Sequence, residues 1–209
     1  MAGIAEIAAM APVIPVLTIE RLTDAVPLAR ALVRGGLPVL EVTLRTEAGL
    51  TAVGDIVRKV PGAVVGVGTV LEPLQMRKAR DLGAQFAVSP GCTEALATAA
   101  DAANLPYLPG IQTVSEAMVL REWGYRLLKF FPADASGGIA WLKSAAAPMA
   151  GMRFCPTGGV TAETAPGYLD LPNVVCVGGS WVAPKGAVAD GDWGQIEQLA
   201  RSASGLKRR

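Results

Sequence analysis

Short β-branched and apolar runs alternate along the chain with longer alanine-rich stretches of helical period, and the alternation recurs about eight times. The short runs predict strands over 13–19, 38–44, 64–70, 86–89, 107–108, 127–131, 153–156 and 174–177. Helical composition falls between them, over 23–34, 47–60, 73–82, 93–102, 114–123 and 138–147, with a short piece near 162–168 and a last helix near 193–202. Thr113-Val114-Ser115-Glu116 forms a capping box, and Glu72-Pro73 places a proline in a first turn. Repeated strand–helix units predict parallel strands joined by right-handed crossovers. Eight such units closing on themselves give a (β/α)8 TIM barrel, and 209 residues lies near the lower size limit for it. An open doubly wound sheet is the alternative, but no Gly-x-Gly-x-x-Gly loop follows the first strand.

One strand carries a misfit. In Leu127-Leu128-Lys129-Phe130-Phe131-Pro132 a lysine interrupts a buried apolar run. Loss of water around an ammonium favours the neutral amine, the form that attacks a ketone to give a Schiff base. The alternative is a lysine that packs its stem on apolar neighbours and sends its head to solvent. Strand parity adds company. Leu40, Val42 and Leu44 share one face of the second strand, while Val39, Glu41, Thr43 and Arg45 share the other. If that second face and Lys129 both point to a barrel axis, Glu41, Arg45 and Lys129 converge on one pocket at the C-terminal strand ends. A structural Glu–Arg or Glu–Lys ion pair is the competing reading, although such pairs are poor stabilisers when buried. The Arg45 fork also suits a substrate carboxylate.

Composition narrows the chemistry. Half of the chain is hydrophobic, 18% is charged and the formal net charge is +1, so no basic stripe points to nucleic acid. The three cysteines, Cys92, Cys155 and Cys176, have no metal-ligand spacing and predict a reducing, cytoplasmic setting, the last two as small buried hydrophobes. No apolar stretch is long enough to span a bilayer, and the N-terminus lacks a basic signal region. One domain over 1–209 is expected, with a short N-terminal helix and a frayed tail at Leu206-Lys207-Arg208-Arg209. The chain has no histidine, which removes Ser-His-Asp and Cys-His mechanisms and imidazole-based zinc sites. Proton transfer falls to carboxylates, lysine, tyrosine, cysteine or water. Met76, Met118 and Met149 read as core filling, and lysines 59, 78, 143 and 185 as helix or loop residues.

Four strand ends are rich in glycine or hydroxyls: Gly66-Val67-Gly68-Thr69, Ser89-Pro90-Gly91, Thr157-Gly158-Gly159 and Gly178-Gly179-Ser180. The last two follow the seventh and eighth strands, where barrels often bind phosphate through exposed backbone N–H groups. Glycine also simply makes turns, but two such pairs favour an anion site.

Glu41-Val42-Thr43-Leu44-Arg45-Thr46-Glu47, Gly66-Val67-Gly68-Thr69-Val70, Leu128-Lys129-Phe130-Phe131-Pro132-Ala133, Arg153-Phe154-Cys155-Pro156-Thr157-Gly158-Gly159 and Gly178-Gly179-Ser180-Trp181 occur in this order. Together they closely resemble the 2-keto-3-deoxy-6-phosphogluconate aldolase family. The resemblance implies a cofactor-free class I aldolase on a (β/α)8 barrel, usually a homotrimer, acting in the Entner–Doudoroff pathway. It implies Lys129 as the Schiff-base lysine and Glu41 as the general acid/base. Arg45 and Thr69 would hold the substrate carboxylate, and Pro90, Phe131 and Thr157 would contact the substrate. Gly158, Gly159, Gly179 and Ser180 would hold its phosphate. Relatives acting on the galactonate epimer lack a threonine before the Gly-Gly pair, so Thr157 favours the gluconate substrate. An aldolase for that epimer and a non-catalytic sugar-phosphate-binding barrel are the rival expectations.

Overall fold

The computed structural model describes residues 2–208. The chain opens with helix α1 (Ile4–Ala8), strand β1 (Val13–Leu17), α2 (Leu22–Arg34), β2 (Val39–Thr43) and α3 (Ala48–Lys59). It continues through β3 (Val64–Gly68), α4 (Pro73–Asp81), β4 (Phe86–Val88), α5 (Glu94–Ala102), β5 (Tyr107–Leu108) and β6 (Gly110–Ile111). Then come α6 (Val114–Glu122), β7 (Leu127–Phe130), α7 (Gly138–Ala145) and β8 (Arg153–Pro156). The last elements are α8 (Ala165–Leu169), β9 (Val177–Gly179), α9 (Lys185–Ala189) and α10 (Trp193–Ser204). The capping box at Thr113 is present, with the Glu116 N–H donating to Thr113 Oγ1 at 3.2 Å and the Thr113 N–H donating to Glu116 Oε2 at 2.7 Å.

All paired strands run parallel, in two curled sheets ordered β5-β4-β3-β2-β1-β9 and β6-β7-β8. Only Pro109 separates β5 from β6, so the strand expected over 107–108 reaches further and changes sheet at a residue that cannot donate to a ladder. Single bridges, Thr157 with Gly178 and Phe154 with Val174, link β8 towards β9. The strand expected over 174–177 is displaced to Val177–Gly179.

The alternation within strands sorts side chains into two cores. Leu40, Val42, Leu128, Phe130 and Phe154 join the larger cluster, between the strands and the helices. Ile14, Val39, Phe86, Val88, Leu108, Leu127, Cys155 and Cys176 form a second cluster on the concave side of the sheets. Ile7 and Ala8 of α1 belong to it, so this short helix closes the N-terminal end of the interior. Fully burying a side chain such as Phe86 contributes about 1.5–3 kcal/mol. Gly66 is what admits that ring: a β-carbon there would lie 2.5 Å from Phe86 Cδ2.

Met76 and Met149 are buried as core fillers, but Met118 is 53% exposed. Val114, Met118, Val119 and Trp123 leave an apolar strip along the outside of α6, which helical period alone did not distinguish from a core face. Past α10 the chain turns back over the N-terminal region, where Arg208 Nη1 donates to the Ala9 carbonyl at 2.8 Å. Arg209, the end of the tail expected to fray, lies outside the described residues.

Candidate active site

The inward faces of β2 and β7 meet at an ion pair. Lys129 Nζ donates to Glu41 Oε1 at 3.1 Å, and the two side chains are only 4% and 3% exposed. The lysine does not reach out to solvent. It stands in register with Gly110 on one side and Cys155 on the other, so its neighbour towards β6 has no side chain. The Pro90 carbonyl occupies that space, 2.3 Å from where a β-carbon of Gly110 would be. Cys155 and Cys176 lie buried in the concave core beside it. The Cys176 thiol is pushed well above the usual thiol range by its hydrogen bond to Cys155 and by burial.

Glu41 owes its position to a residue read from the sequence as part of a glycine-rich strand end. A β-carbon on Gly68 would fall 2.2 Å from Glu41 Oε1 and 2.5 Å from its Cγ. Gly68 therefore leaves the space in which the carboxylate sits. The sequence signal was an inward-parity glycine on the strand that neighbours Glu41. Thr43, next on the same face, donates to the Leu17 carbonyl at 2.9 Å and ties β2 to β1.

Above the pair lies a cavity of about 340 Å³ lined by Val16, Thr18, Arg45, Phe131, Thr157, Gly158, Gly159, Val160, Gly178, Gly179, Ser180 and Lys185. Its walls come from the C-terminal ends of β1, β2, β7, β8 and β9. Phe131 joins the two levels, because its ring lines the cavity and its centroid is 5.3 Å from Lys129 Nζ. Thr157 lies at the boundary, 5% exposed, with Oγ1 3.8 Å from Cys155 Sγ.

Arg45 does not pair with Glu41. Its Nε donates to Thr69 Oγ1 at 3.1 Å, and it makes no ion pair among the described residues. Thr69 holds that position with φ of 57°, a left-handed conformation that is unfavourable for a β-branched residue. Neither Thr69 nor Pro90 lines the cavity: Thr69 is joined to it through Arg45, and Pro90 packs its carbonyl against Gly110.

The candidate glycines divide. Gly158 and Gly159 have φ of 95° and 78°, so this turn requires glycine. Gly178 and Gly179 also have packing reasons: β-carbons there would lie 2.3 Å from Thr157 Oγ1 and 1.7 Å from the Trp181 ring. The Ser89-Pro90-Gly91 end is different again. The Ser89 hydroxyl is buried and bonded to Tyr107 Oη and the Gly91 carbonyl, so its proton is already committed and it has no donor left for an anionic ligand. Lys185 was missed, since nothing near it in sequence marks it as a cavity residue. Among the described residues no cluster of three or more His, Cys, Asp or Glu side chains could hold a metal ion.

A family model for KDPG and KHG aldolase matches residues 4–199. The chain belongs to the KDPG and KHG aldolase family. The KHG/KDPG aldolase of Escherichia coli K12 is 50% identical over 192 residues, covering 92% of this chain and 90% of that protein. A solved structure of KDPG aldolase from Legionella pneumophila holds pyruvate captured at low pH as a covalent carbinolamine intermediate. It matches this chain with a TM-score of 0.94 at 43% identity, over 96% of this chain and 98% of that one. The Zymomonas mobilis ZM4 aldolase, solved with 3-phosphoglycerate, matches with a TM-score of 0.91 at 48% identity, over 97% and 95%.

Proposed function

We propose that this chain is a Schiff-base aldolase that cleaves 2-keto-3-deoxy-6-phosphogluconate to pyruvate and glyceraldehyde 3-phosphate, and that it also cleaves 4-hydroxy-2-oxoglutarate. The observation that carries this reading is the buried contact between Lys129 Nζ and Glu41 Oε1 at 3.1 Å, beneath a cavity of the right chemistry. An ion pair this secluded is a weak stabiliser, whereas a lysine with a carboxylate in hydrogen-bond reach is what imine formation needs.

Glu41 accepts a proton from Lys129, and the neutral amine adds to the C2 ketone. Returning the proton to the carbinolamine hydroxyl expels water and leaves an iminium. Glu41, directly or through that water, then removes the C4 hydroxyl proton. The C3–C4 electron pair flows into the iminium, which releases the aldehyde and leaves the enamine of pyruvate. Protonation at C3 and addition of water free pyruvate and regenerate the lysine. Arg45 and Thr69 hold the C1 carboxylate, Pro90, Phe131 and Thr157 enclose the carbon chain, and Gly158, Gly159, Gly179 and Ser180 hold the phosphate. The relatives carrying pyruvate as a carbinolamine and 3-phosphoglycerate support these assignments.

The same proposal takes 1–209 as one domain whose strands close into a (β/α)8 barrel, supported by the Thr157–Gly178 bridge and the strand continuity through Pro109. It also makes the enzyme a cytoplasmic homotrimer of the Entner–Doudoroff pathway, to which the exposed strip on α6 would offer an apolar contact face. Pyruvate release, coupled to lactate dehydrogenase, from the gluconate- and galactonate-derived phosphates and from 4-hydroxy-2-oxoglutarate tests the activity. Preference for the gluconate epimer is expected. Failure to release pyruvate from any of them overturns the proposal.

A further inference from the structure

Two cations line the cavity, Arg45 and Lys185, and no carboxylate lines it. Arg45 stands at the end of β2, whereas Lys185 opens α9, just beyond the Gly178-Gly179-Ser180 turn. The cavity is therefore positive at two places that come from different elements. Arg45 already has a hydrogen-bond partner in Thr69. The Lys185 ammonium makes no ion pair or hydrogen bond among the described residues.

The helix that carries Lys185 is anchored. Arg21 Nη2 donates to the Ala189 carbonyl at 3.0 Å and reaches the Val188 carbonyl at 3.5 Å, at the far end of α9. Ala187 is buried beneath it, and the Asp192 N–H donates to the Ala187 carbonyl at 2.9 Å. Lys185 also borders an adjoining cavity of about 520 Å³ that contains Glu20, Arg21 and Asp24. There Asp24 is already paired with Arg21 at 2.8 Å, which leaves Glu20 as the uncommitted carboxylate. On the other side, the hydrogen bonds of the described residues use neither the Gly159 nor the Ser180 backbone N–H. An unpaired cation on an anchored helix, beside open N–H donors and a serine hydroxyl, is suited to a polyanionic group.

We propose that Lys185 is the positioning cation for the phosphate end of the substrate and sets the preference for phosphorylated over unphosphorylated 2-oxo acids. The inference rests on the aldolase reading and deepens it. A substrate held by its C1 carboxylate at Arg45 and by its phosphate at Lys185 spans the cavity above Lys129, so the phosphate contact orients C2 and C4 without touching the reacting atoms. In 4-hydroxy-2-oxoglutarate the second anion sits directly on C4 and does not extend to Lys185.

The test compares Lys185→Ala and Lys185→Arg with the parent enzyme on both substrates. Lys185→Ala is expected to raise KM for the phosphorylated substrate about tenfold, with kcat changed much less, as loss of one charged contact implies. The ratio of kcat/KM between the two substrates should fall by a similar factor, and Lys185→Arg should restore most of it. Equal changes on both substrates, or no change, overturn the role of Lys185. Binding of inorganic phosphate, followed by calorimetry on the parent enzyme and Lys185→Ala, gives a readout independent of turnover. If the parent enzyme cleaves neither substrate, the aldolase reading falls. Phosphate affinity lost in Lys185→Ala then still supports the anion site, and unchanged affinity removes it.

Discussion

Gly68 and Glu41 occupy the same space: the carboxylate Oε1 stands 2.2 Å from the position a Gly68 β-carbon would take. The missing side chain on β3 is thus a condition for the buried pair between β2 and β7.

Gly68→Ala should displace the Glu41 carboxylate while leaving the fold intact. A displacement on the order of 1 Å costs about 10²-fold in turnover. Gly66→Ala makes the contrasting case, since its β-carbon would meet the Phe86 ring and not Glu41. It should destabilise by about 1–3 kcal/mol through overpacking. Parallel measurements of kcat and urea unfolding separate the two effects, and a Gly68→Ala enzyme of normal kcat would show that Glu41 tolerates the shift.

Activity and stability should part company at the ion pair. Lys129→Met leaves Glu41 buried without its cation, which should cost about 3–5 kcal/mol of stability. Combining it with Glu41→Leu should recover most of that loss, yet yield an inactive protein. Glu41→Gln alone should lower kcat by about 10²–10⁴-fold if the carboxylate carries the protons. Denaturation of the single and double variants checks the first claim, and steady-state kinetics the second.

Thr69 combines backbone strain with a hydrogen bond to Arg45. Thr69→Gly should relieve about 1–3 kcal/mol of strain, offset by about 0.5–1 kcal/mol of glycine flexibility, so the melting temperature should rise. The KM for 2-oxo acids should rise as well, because Arg45 loses the acceptor that aims its fork. Thermal melts and KM values from one preparation read both. A fall in melting temperature would contradict the strain.

Tyr125 has a buried hydroxyl with no hydrogen-bond partner among the described residues, beside Tyr107 at a ring separation of 5.9 Å. Burial, followed by the Asp101 carboxylate, pushes its phenol from 10.0 up to about 12. In that interval the unfolded chain loses the proton and the folded chain keeps it, so stability is full below pH 10.0 and falls as pH rises through about 12. Tyr125→Phe should reduce this alkaline slope and, by removing an unpaired hydroxyl, add about 1–3 kcal/mol at neutral pH. Tyr107, whose phenol is also raised by burial, keeps part of the slope. Urea titrations on either side of pH 10.0 measure it.

Features written into local alternation were the ones legible in the sequence. The 39-41-43-45 parity put Glu41 and Arg45 on one face, and the apolar bracket singled out Lys129 while leaving a buried and a solvent-reaching lysine both open, a choice that the structure makes for burial. Partner choice was not legible. Sequence left Glu41 free to pair with either cation, and the structure gives it to Lys129. Features set by distant packing were hidden as well. Gly68 makes sense only once β3 lies beside Glu41. Lys185 lines the cavity from a helix whose far end is bonded by Arg21, more than 160 residues earlier in the chain, a neighbour that local sequence does not reveal. Met118 has helical spacing but faces out, since period alone says that a face is apolar and not what covers it.

The central claim is that Lys129 forms the covalent intermediate, and reductive trapping addresses it directly. Incubation with pyruvate and sodium borohydride, followed by peptide mass spectrometry, should place a reduced pyruvate adduct on the peptide containing Lys129. The adduct should be absent from Lys129→Met. No adduct, or one on Lys185 or another lysine with Lys129 untouched, would contradict the mechanism proposed for this site.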